Sequence, residues 1–180
     1  MPRRPSGTRE RIQAAALELF GAQGIQQTSL REIADRLGIT KPALYYHFAS
    51  REDLVRSLVQ PLIDQVEELL AEQESAGRVD PRRLLERYFD LYYQQREVTL
   101  LVVRELSALA YLDLASRTAG WRQRLVTLLV GPAPALADQA RAVVAVGGLA
   151  DCTVMFAHLP ADELRPAAVD AACGALGIPG

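Results

Sequence analysis

Cysteine and histidine, the residues that most often build metal centres and catalytic sites, are scarce in this sequence. The 180 residues include two of each, and Cys152 and Cys173 form neither a C-x-x-C pair nor a metal-ligand spacing. There is also no Gly-rich phosphate-binding loop and no recognisable set of nucleophile, base and orienting residue. The sequence therefore predicts neither an enzyme nor a metal or cofactor site.

Long apolar runs are missing as well. In the apolar C-terminal half, the longest uncharged stretch lies between Arg124 and Asp138, and prolines interrupt it. It is too short to span a bilayer. Arg3 and Arg4 are followed by polar residues rather than by the apolar run of a signal peptide. We therefore expect a soluble, cytoplasmic protein, with a real core built from the 49% of residues that are hydrophobic.

Positive charge is concentrated near the N-terminus. Residues 1–56 contain nine Arg or Lys against six Asp or Glu, a net charge of +3, whereas residues 57–180 contain eleven against sixteen, a net charge of −5. A basic N-terminal segment followed by an acidic remainder is what we expect of a DNA-binding domain attached to a domain that avoids DNA.

A segment within this basic region has the pattern of two short helices joined by a tight turn. Ser29 and Glu32 have the spacing of a capping box, which predicts the start of a helix. Gly38 ends that helix, because glycine enters the left-handed conformation without a steric cost. Thr40 then caps a second helix, with Pro42 in its first turn, where a missing N–H does no harm. This pattern is typical of a helix-turn-helix.

The second of these helices has a surface suited to reading base edges. Pro42 and Ala43 are small enough to let the helix approach the bases in a major groove about 12 Å wide, and they offer apolar contacts to thymine. Lys41 can donate to guanine O6 and N7 or to a phosphate. Leu44 and Phe48 are expected to face the protein interior.

An N-terminal arm precedes the first predicted helix. Arg3 and Arg4 in this arm can lie along a phosphate backbone or enter the minor groove, as basic arms of other DNA-binding domains do. A solvated tail without any contact is the alternative.

The N-terminal third of the chain resembles the TetR family of transcriptional regulators. The likeness covers about residues 8–54, with Ile25 where an aromatic residue is usual and Arg51 where Lys is common. The matching residues are Ile12, Ala15, Ala16, Leu19, Phe20, Gly24, Thr28, Ser29, Ile33, Ala34, Leu37, Gly38, Ile39, Thr40, Leu44, Tyr45, His47, Phe48, Ser50, Arg51, Glu52, Asp53 and Leu54.

The resemblance implies an all-α protein of about nine helices. A helix-turn-helix DNA-binding domain (residues 1–50) is followed by a helical effector-binding and dimerisation domain (residues 51–180). Helical periodicity, caps and breakers place the helices outside the helix-turn-helix at about 8–23, 51–74, 81–95, 97–110, 113–130, 135–158 and 161–175. Pro61 interrupts the helix at 51–74 and predicts a kink there, and this helix is the natural lever between the two domains.

The resemblance also implies contacts to DNA. We predict base contacts from Arg31, Lys41, Pro42 and Ala43, and phosphate contacts from Thr28, Thr40, Tyr45, Tyr46, His47 and Arg51. Arg31 can equally be a surface arginine, and Tyr45 can equally pack against the first helix.

The last two helices are apolar on more than one face, so each needs a second packing partner that buries the remaining apolar face. The resemblance implies that they pair with a second copy across a twofold axis, whereas two core helices of a monomer are the alternative. The predicted interface residues are Val146, Gly147, Leu149, Val169, Ala172 and Leu176. Small residues in these helices would let the backbones approach closely.

An apolar effector cavity in each body is a further implication of the resemblance. The residues expected to face it are Tyr88, Tyr92, Trp121, Leu125, Cys152, Met155 and Phe156. An aromatic stripe at helical spacing can equally be plain core. Few charged residues are available inside, so a largely apolar effector is expected.

These features together predict a homodimeric repressor that a small, largely apolar effector releases from a palindromic operator. The first alternative is a thiol-based redox sensor acting through Cys152 or Cys173, although apolar surroundings raise a thiol pKa and blunt its reactivity. The second is an architectural protein that coats DNA without responding to an effector.

Overall fold

The structure of the protein is a computed structural model, which describes residues 7–105 and 110–178. Within these residues all regular structure is helical, as predicted. The helices are α1 (Thr8–Gln23), α2 (Leu30–Leu37), α3 (Lys41–His47), α4 (Arg51–Ser75), α5 (Pro81–Gln94), α6 (Arg96–Arg104), α7 (Leu114–Val130), α8 (Leu136–Met155) and α9 (Ala161–Leu176), with a 3-10 helix at Ala110–Leu112.

The chain divides into two compact units. The first runs up to Pro61 and includes Leu100–Leu112, and the second contains Leu62–Thr99 and the chain from Asp113 onward. The helices α4 and α6 therefore contribute residues to both units. The functional boundary expected after residue 50 is a separate matter and stays a prediction.

The first unit is built around the buried stripe of α1. Ile12 and Ala16 are fully buried and Phe20 is nearly so. They lie at helical spacing, so one face of α1 is apolar and packs against α2, which in turn contacts α3. Arg3 and Arg4 of the predicted arm lie outside the described residues.

The second unit has α8 at its centre. This helix packs against α5, α7 and α9, and α9 also packs against α5. Because α8 has neighbours on several sides, Val146 and Leu149 are both only 1% exposed. The apolar character of α8 therefore serves the core of its own chain first.

Several helix ends differ from the predicted ones. In the described residues α6 ends at Arg104, while residues 106–109 lie outside them, so the predicted end of this helix at 110 is not reached as an α-helix. The helix α8 ends at Met155 rather than near 158, and the N–H of Phe156 donates to the carbonyl of Cys152 as its last cap. Pro61 lies inside α4, which is one helix from Arg51 to Ser75; the kink there stays a prediction.

An ion-pair network in the second unit joins α7 to α4. The Trp121 indole N–H donates to Glu67 over 2.6 Å, and Arg124 donates to the other Glu67 oxygen over 2.6 Å. Arg124 also makes two parallel bonds to Glu74, of 2.7 and 2.8 Å. Such fork-to-carboxylate pairs fix geometry as well as charge. The network therefore fixes the register of α7 along α4.

The same network predicts a pH dependence of stability. Hydrogen bonds from Trp121 and Arg124 lower the pKa of the Glu67 carboxyl below its ordinary value of 4.5. A lowered folded-state pKa adds stability above the ordinary value, and this stability is lost as the pH falls from 4.5 through the folded pKa.

We therefore expect the wild type to exceed Glu67→Gln in free energy of unfolding at about pH 7, and the difference to shrink below pH 4.5. Urea denaturation of both proteins between about pH 3 and pH 7 measures it. Glu68→Gln, on the exposed neighbouring residue, is the matched control. A difference of the same size at both ends of this pH range would contradict the assignment.

Candidate nucleic-acid interface

Reciprocal side-chain bonds fix the start of α2. The N–H of Glu32 donates to Ser29 Oγ over 3.2 Å, and the Ser29 N–H donates to Glu32 Oε2 over 2.7 Å. The bond from the Ser29 backbone lowers the pKa of the Glu32 carboxyl. This is the capping box expected from the spacing, and it sets the direction in which α2 begins.

The turn between α2 and α3 depends on one glycine. Gly38 has φ 65° and ψ 30°, in the left-handed region. The N–H of Ile39 reaches back to the carbonyl of Ala34 over 3.1 Å, as in a Schellman motif. Thr40 Oγ1 then accepts the N–H of Ala43 over 3.3 Å and caps α3. The predicted helix-turn-helix is thus closed by local bonds at each end of its turn.

The helix α3 has one buried side and one exposed side. Leu44 and Phe48 are fully buried, as predicted, and anchor the helix to the first unit. On the opposite side Lys41 and Pro42 are exposed and Tyr46 is 86% exposed. A short helix that is fixed on one side and open on the other can enter a groove.

The remaining predicted contact residues on α3 lie at the edges of this open side. Tyr45 is 44% exposed, so part of its side chain is open to a contact with DNA and part is covered. The Lys41 Nζ lies 5.5 Å from the centre of its ring. His47 and Ala43 are half-buried, and the His47 ring meets the Tyr46 ring edge-on at 5.3 Å.

Arg9, which the sequence analysis did not single out, supports the end of α3. Its guanidinium lies 4.4 Å from the centre of the Phe48 ring and donates to the His47 carbonyl over 3.0 Å. A cation at a helix C-terminus is favourable because the last carbonyls carry partial negative charge. No spacing in the sequence connects two residues that are 38 positions apart.

Arg31 and Lys41 meet at a cleft of about 360 Å³ in the first unit. The Arg31 side chain is 80% exposed and pairs loosely with Asp35 at 3.6 Å. The cleft is lined by Thr28, Ser29, Leu30, Arg31, Lys41, Tyr45, Ala49, Ser50, Arg51 and Glu52. Two candidate base readers from different helices thus border one concave surface.

Thr28 is wrongly placed as a phosphate contact. It is only 1% exposed, and its hydroxyl donates to the Gly24 carbonyl over 2.8 Å. The same hydroxyl accepts a bond from Gln23 over 3.2 Å. Because both of these partners lie at the end of α1, Thr28 fixes the chain between α1 and α2.

Arg51 also differs from its predicted role. Its guanidinium turns inward and donates to backbone carbonyls of the turn that follows α1, at Ile25, Gln26 and Thr28. A cation in the first turn of a helix is disfavoured there, but no pattern in the sequence indicates which acceptors Arg51 turns to.

The predicted effector residues fall into two groups. Tyr88, Trp121 and Leu125 are buried and Tyr92 and Cys152 are half-buried, and burial raises the pKa of the Tyr88 phenol well above its usual value. Met155 and Phe156, by contrast, are 71% and 42% exposed. The inward orientation expected for these two is wrong, because α8 ends there.

Two clefts of the second unit lie elsewhere. One, of about 430 Å³, is lined by residues of α4 and α5, and the other, of about 260 Å³, by residues of α7 and α8. None of the seven predicted effector residues lines either cleft. The predicted effector cavity stays a prediction.

The predicted dimer residues are largely used inside the chain. Val146, Leu149, Val169 and Ala172 are buried, and only Gly147 and Leu176 among the six are partly accessible. Helical period alone does not tell which apolar face meets the chain's own core. Exposed small residues of these helices include instead Ala140, Val144, Gly148, Ala167, Ala171 and Gly174.

The two thiols are covered to different degrees: Cys152 is half-buried, and Cys173 is buried with Arg82 Nη1 3.9 Å from its Sγ. Burial raises the pKa of both Cys152 and Cys173, and Cys173 is fully buried. A raised pKa reduces the reactive thiolate, so no observation favours the redox alternative. Across the described residues no group of His, Cys, Asp and Glu could hold a metal ion, and no helix is long and apolar enough to cross a bilayer.

The part of the chain that carries this surface matches a known family profile. Residues 12–58 match the profile described as "Bacterial regulatory proteins, tetR family". The chain is similar to the HTH-type transcriptional regulator TtgR of Pseudomonas putida, 36% identical over 87 residues, 46% of this chain and 41% of TtgR. It is also similar to the HTH-type transcriptional repressor BepR of Brucella suis biovar 1, 33% identical over 79 residues, 44% of this chain and 38% of BepR. The chain thus spans less than half the length of these curated relatives.

Solved structures extend the likeness to the rest of the fold. A transcriptional regulator (TerR/AcrR family) from Aquifex aeolicus VF5 has a TM-score of 0.73 and 24% identity, covering 92% of this chain and 97% of the other. At this identity the likeness concerns the fold alone. It confirms the predicted all-α architecture with an N-terminal helix-turn-helix.

Proposed function

Because this chain belongs to the TetR family of transcriptional regulators, we propose that it is a homodimeric repressor. In this proposal a small, largely apolar effector releases it from a palindromic DNA operator in the cytoplasm. The observation that supports DNA binding most directly is the open side of α3, held in place by the buried Leu44 and Phe48.

The proposed base contacts are Arg31, Lys41, Pro42 and Ala43. Arg31 and Lys41 border one cleft, so their donors can reach neighbouring base pairs or a flanking phosphate. The proposed phosphate contacts are Thr40, Tyr45, Tyr46 and His47. Thr28 and Arg51 leave this set, because their polar groups bond to the backbone of the chain itself.

The proposed dimer surface is the exposed small-residue face of α8 and α9. Ala140, Val144 and Gly148 recur every four residues on α8, and Ala167, Ala171 and Gly174 follow at similar spacing on α9. Apart from the chain neighbours and the backbone of the helix itself, no atom lies within 4 Å of the place where a Cβ of Gly148 or Gly174 would be. A second copy can therefore bring its backbone close. Two DNA-binding domains related by a twofold axis match the two half-sites of a palindromic operator.

The proposed effector site is the buried aromatic region of the second unit. The Tyr88 and Tyr92 rings have centroids 4.6 Å apart, and Trp121 and Leu125 are buried on α7. An apolar molecule fits such a lining. Release of DNA requires that the effector bind one arrangement of the dimer better than the other, since equal affinity shifts no population.

Selection of bound fragments from the host's genomic DNA tests the proposal. We expect a small number of palindromic sites with matching half-sites. Many evenly spaced sites without sequence preference would support the architectural alternative, and no bound duplex at all would end the proposal.

Replacing Lys41 by alanine tests the recognition helix. If Lys41 reads a base, we expect specific binding to weaken by about 1–3 kcal/mol with little change for random DNA. If it touches only phosphate, binding to all sequences should weaken alike and the salt slope should fall by about one. Fluorescence anisotropy with operator and random duplexes at several salt concentrations distinguishes the two cases. Wild-type affinity in the variant would exclude Lys41 as a contact.

A further inference from the structure

We infer that Arg51 is a positioning residue: it holds the turn between α1 and α2 and so places the start of α2 beside α3. Its relevance to DNA binding rests on the function proposed above. The geometric part of the inference stands on the first unit alone.

The Arg51 guanidinium bonds several oxygen atoms of this turn. Arg51 Nη1 lies 3.2 Å from the carbonyl oxygen of Ile25, 3.0 Å from that of Gln26 and 3.5 Å from that of Thr28. Nη2 donates to the side-chain oxygen of Gln26 over 3.2 Å. The side chain is only 29% exposed. Its donors therefore face the turn, where they hold four acceptors together.

The backbone of the turn adds only a weak constraint of its own. Between residues 25 and 28 the Thr28 N–H donates to the Ile25 carbonyl at 3.4 Å, which is long for a hydrogen bond. The hydroxyl of Thr28 adds an anchor to Gly24. Bonds from a charged donor are stronger than neutral ones, so Arg51 is a major constraint on this segment.

The position of Arg51 explains why its side chain turns away from solvent. It is the first residue of α4, where the unpaired N–H groups make a cation unfavourable. Carbonyls that follow the end of α1 are nearby acceptors that offset this cost. An ammonium lacks the planar fork that can bridge several carbonyls at once, so lysine is not an equivalent replacement.

The turn leads directly into Ser29, the cap of α2. Ser29 and Arg31 border the same cleft as Lys41. A looser turn would therefore let the start of α2 shift relative to α3. Arg31 and Lys41 would then no longer keep one fixed position relative to each other.

The test compares the full-length wild type with Arg51→Met, Arg51→Lys and the control Arg36→Met. Arg36 also carries a positive charge in the first unit, but it pairs with Glu18 at 2.6 Å instead of with the turn. Amide hydrogen exchange of Thr28 and Ser29, whose N–H groups donate hydrogen bonds in this segment, is measured without DNA. Operator affinity is then measured at several salt concentrations.

We expect exchange at the Thr28 and Ser29 amides to rise about tenfold or more in Arg51→Met, less in Arg51→Lys, and not at all in Arg36→Met. Operator affinity of Arg51→Met should fall about tenfold with an unchanged salt slope. Unchanged exchange in Arg51→Met would overturn the inference. So would a salt slope lowered by about 0.9 in Arg51→Met and restored in Arg51→Lys, because that is the result of a lost phosphate contact.

The exchange measurement needs no DNA, so it judges the role of Arg51 even if the wild type selects no operator. Wild-type protein without sequence preference would overturn the proposed function, while faster exchange in Arg51→Met would still support the role of Arg51 in the turn.

Discussion

Replacing Gly148 by leucine is expected to convert the proposed dimer to a monomer and to weaken operator binding by about 10²-fold or more. The estimate follows from the loss of the second DNA-binding domain. In a dimer this domain binds its half-site at a high effective concentration once the first domain is bound. Gly148 is exposed in the middle of α8, and apart from its chain neighbours and the backbone of α8 itself no atom of the chain lies within 4 Å of a Cβ there. The variant should therefore fold normally, since the added side chain meets only a partner.

Gly120→Leu is the matched control for this change. Gly120 is also exposed within a helix, α7, and its Cβ position is equally open. Both variants gain helix propensity by the same substitution. Light scattering after size exclusion gives the molar mass, and anisotropy with the operator gives the affinity. A Gly148→Leu protein that remains dimeric would refute the proposed surface.

Replacing Leu44 by alanine is expected to lower the free energy of unfolding of the first unit by about 2–5 kcal/mol. Leu44 is fully buried, so the change removes core contacts and leaves a cavity. The helix α3 has seven residues, too few to be stable without the packing that Leu44 provides. Operator binding should fall along with stability.

Tyr46→Ala separates stability from recognition in the same helix. Tyr46 is 86% exposed, so its removal should change the free energy of unfolding by about 0.5 kcal/mol or less. Urea denaturation followed by circular dichroism measures both variants. If the two variants are equally stable, Leu44 does not anchor α3. If Tyr46→Ala keeps its stability and loses operator affinity, its role is a contact to DNA.

The helix-turn-helix could be read from the sequence in detail. Ser29, Glu32, Gly38 and Thr40 act on partners a few residues away, and the structure has each of the bonds that the spacing predicts. The buried stripe of α1 and the anchors of α3 also follow from helical period. Effects of this kind need no knowledge of distant parts of the chain.

The predictions that were wrong concern which side chains face outward and which face the chain itself. The assignment of Thr28 and Arg51 to DNA depends on polar side chains that resemble contacts in the family. In the structure both bond to backbone carbonyls, and those bonded to Arg51 lie more than about twenty residues away in sequence, beyond the reach of any local pattern. The prediction that Met155 and Phe156 face the interior depends on their apolar character. In the structure α8 ends at Met155, and both side chains are exposed at that end.

The sequence by itself determined where most helices start and end and which short helix is shaped for a groove, because caps, glycine turns and helical period act between neighbours along the chain. Only the tertiary structure decided which apolar face of α8 and α9 is used by the chain's own core and which is left open. It also decided which of the predicted cations turn toward the chain's own carbonyls and which face outward. Both depend on elements far apart in sequence, whose packing determines what is covered and what stays exposed.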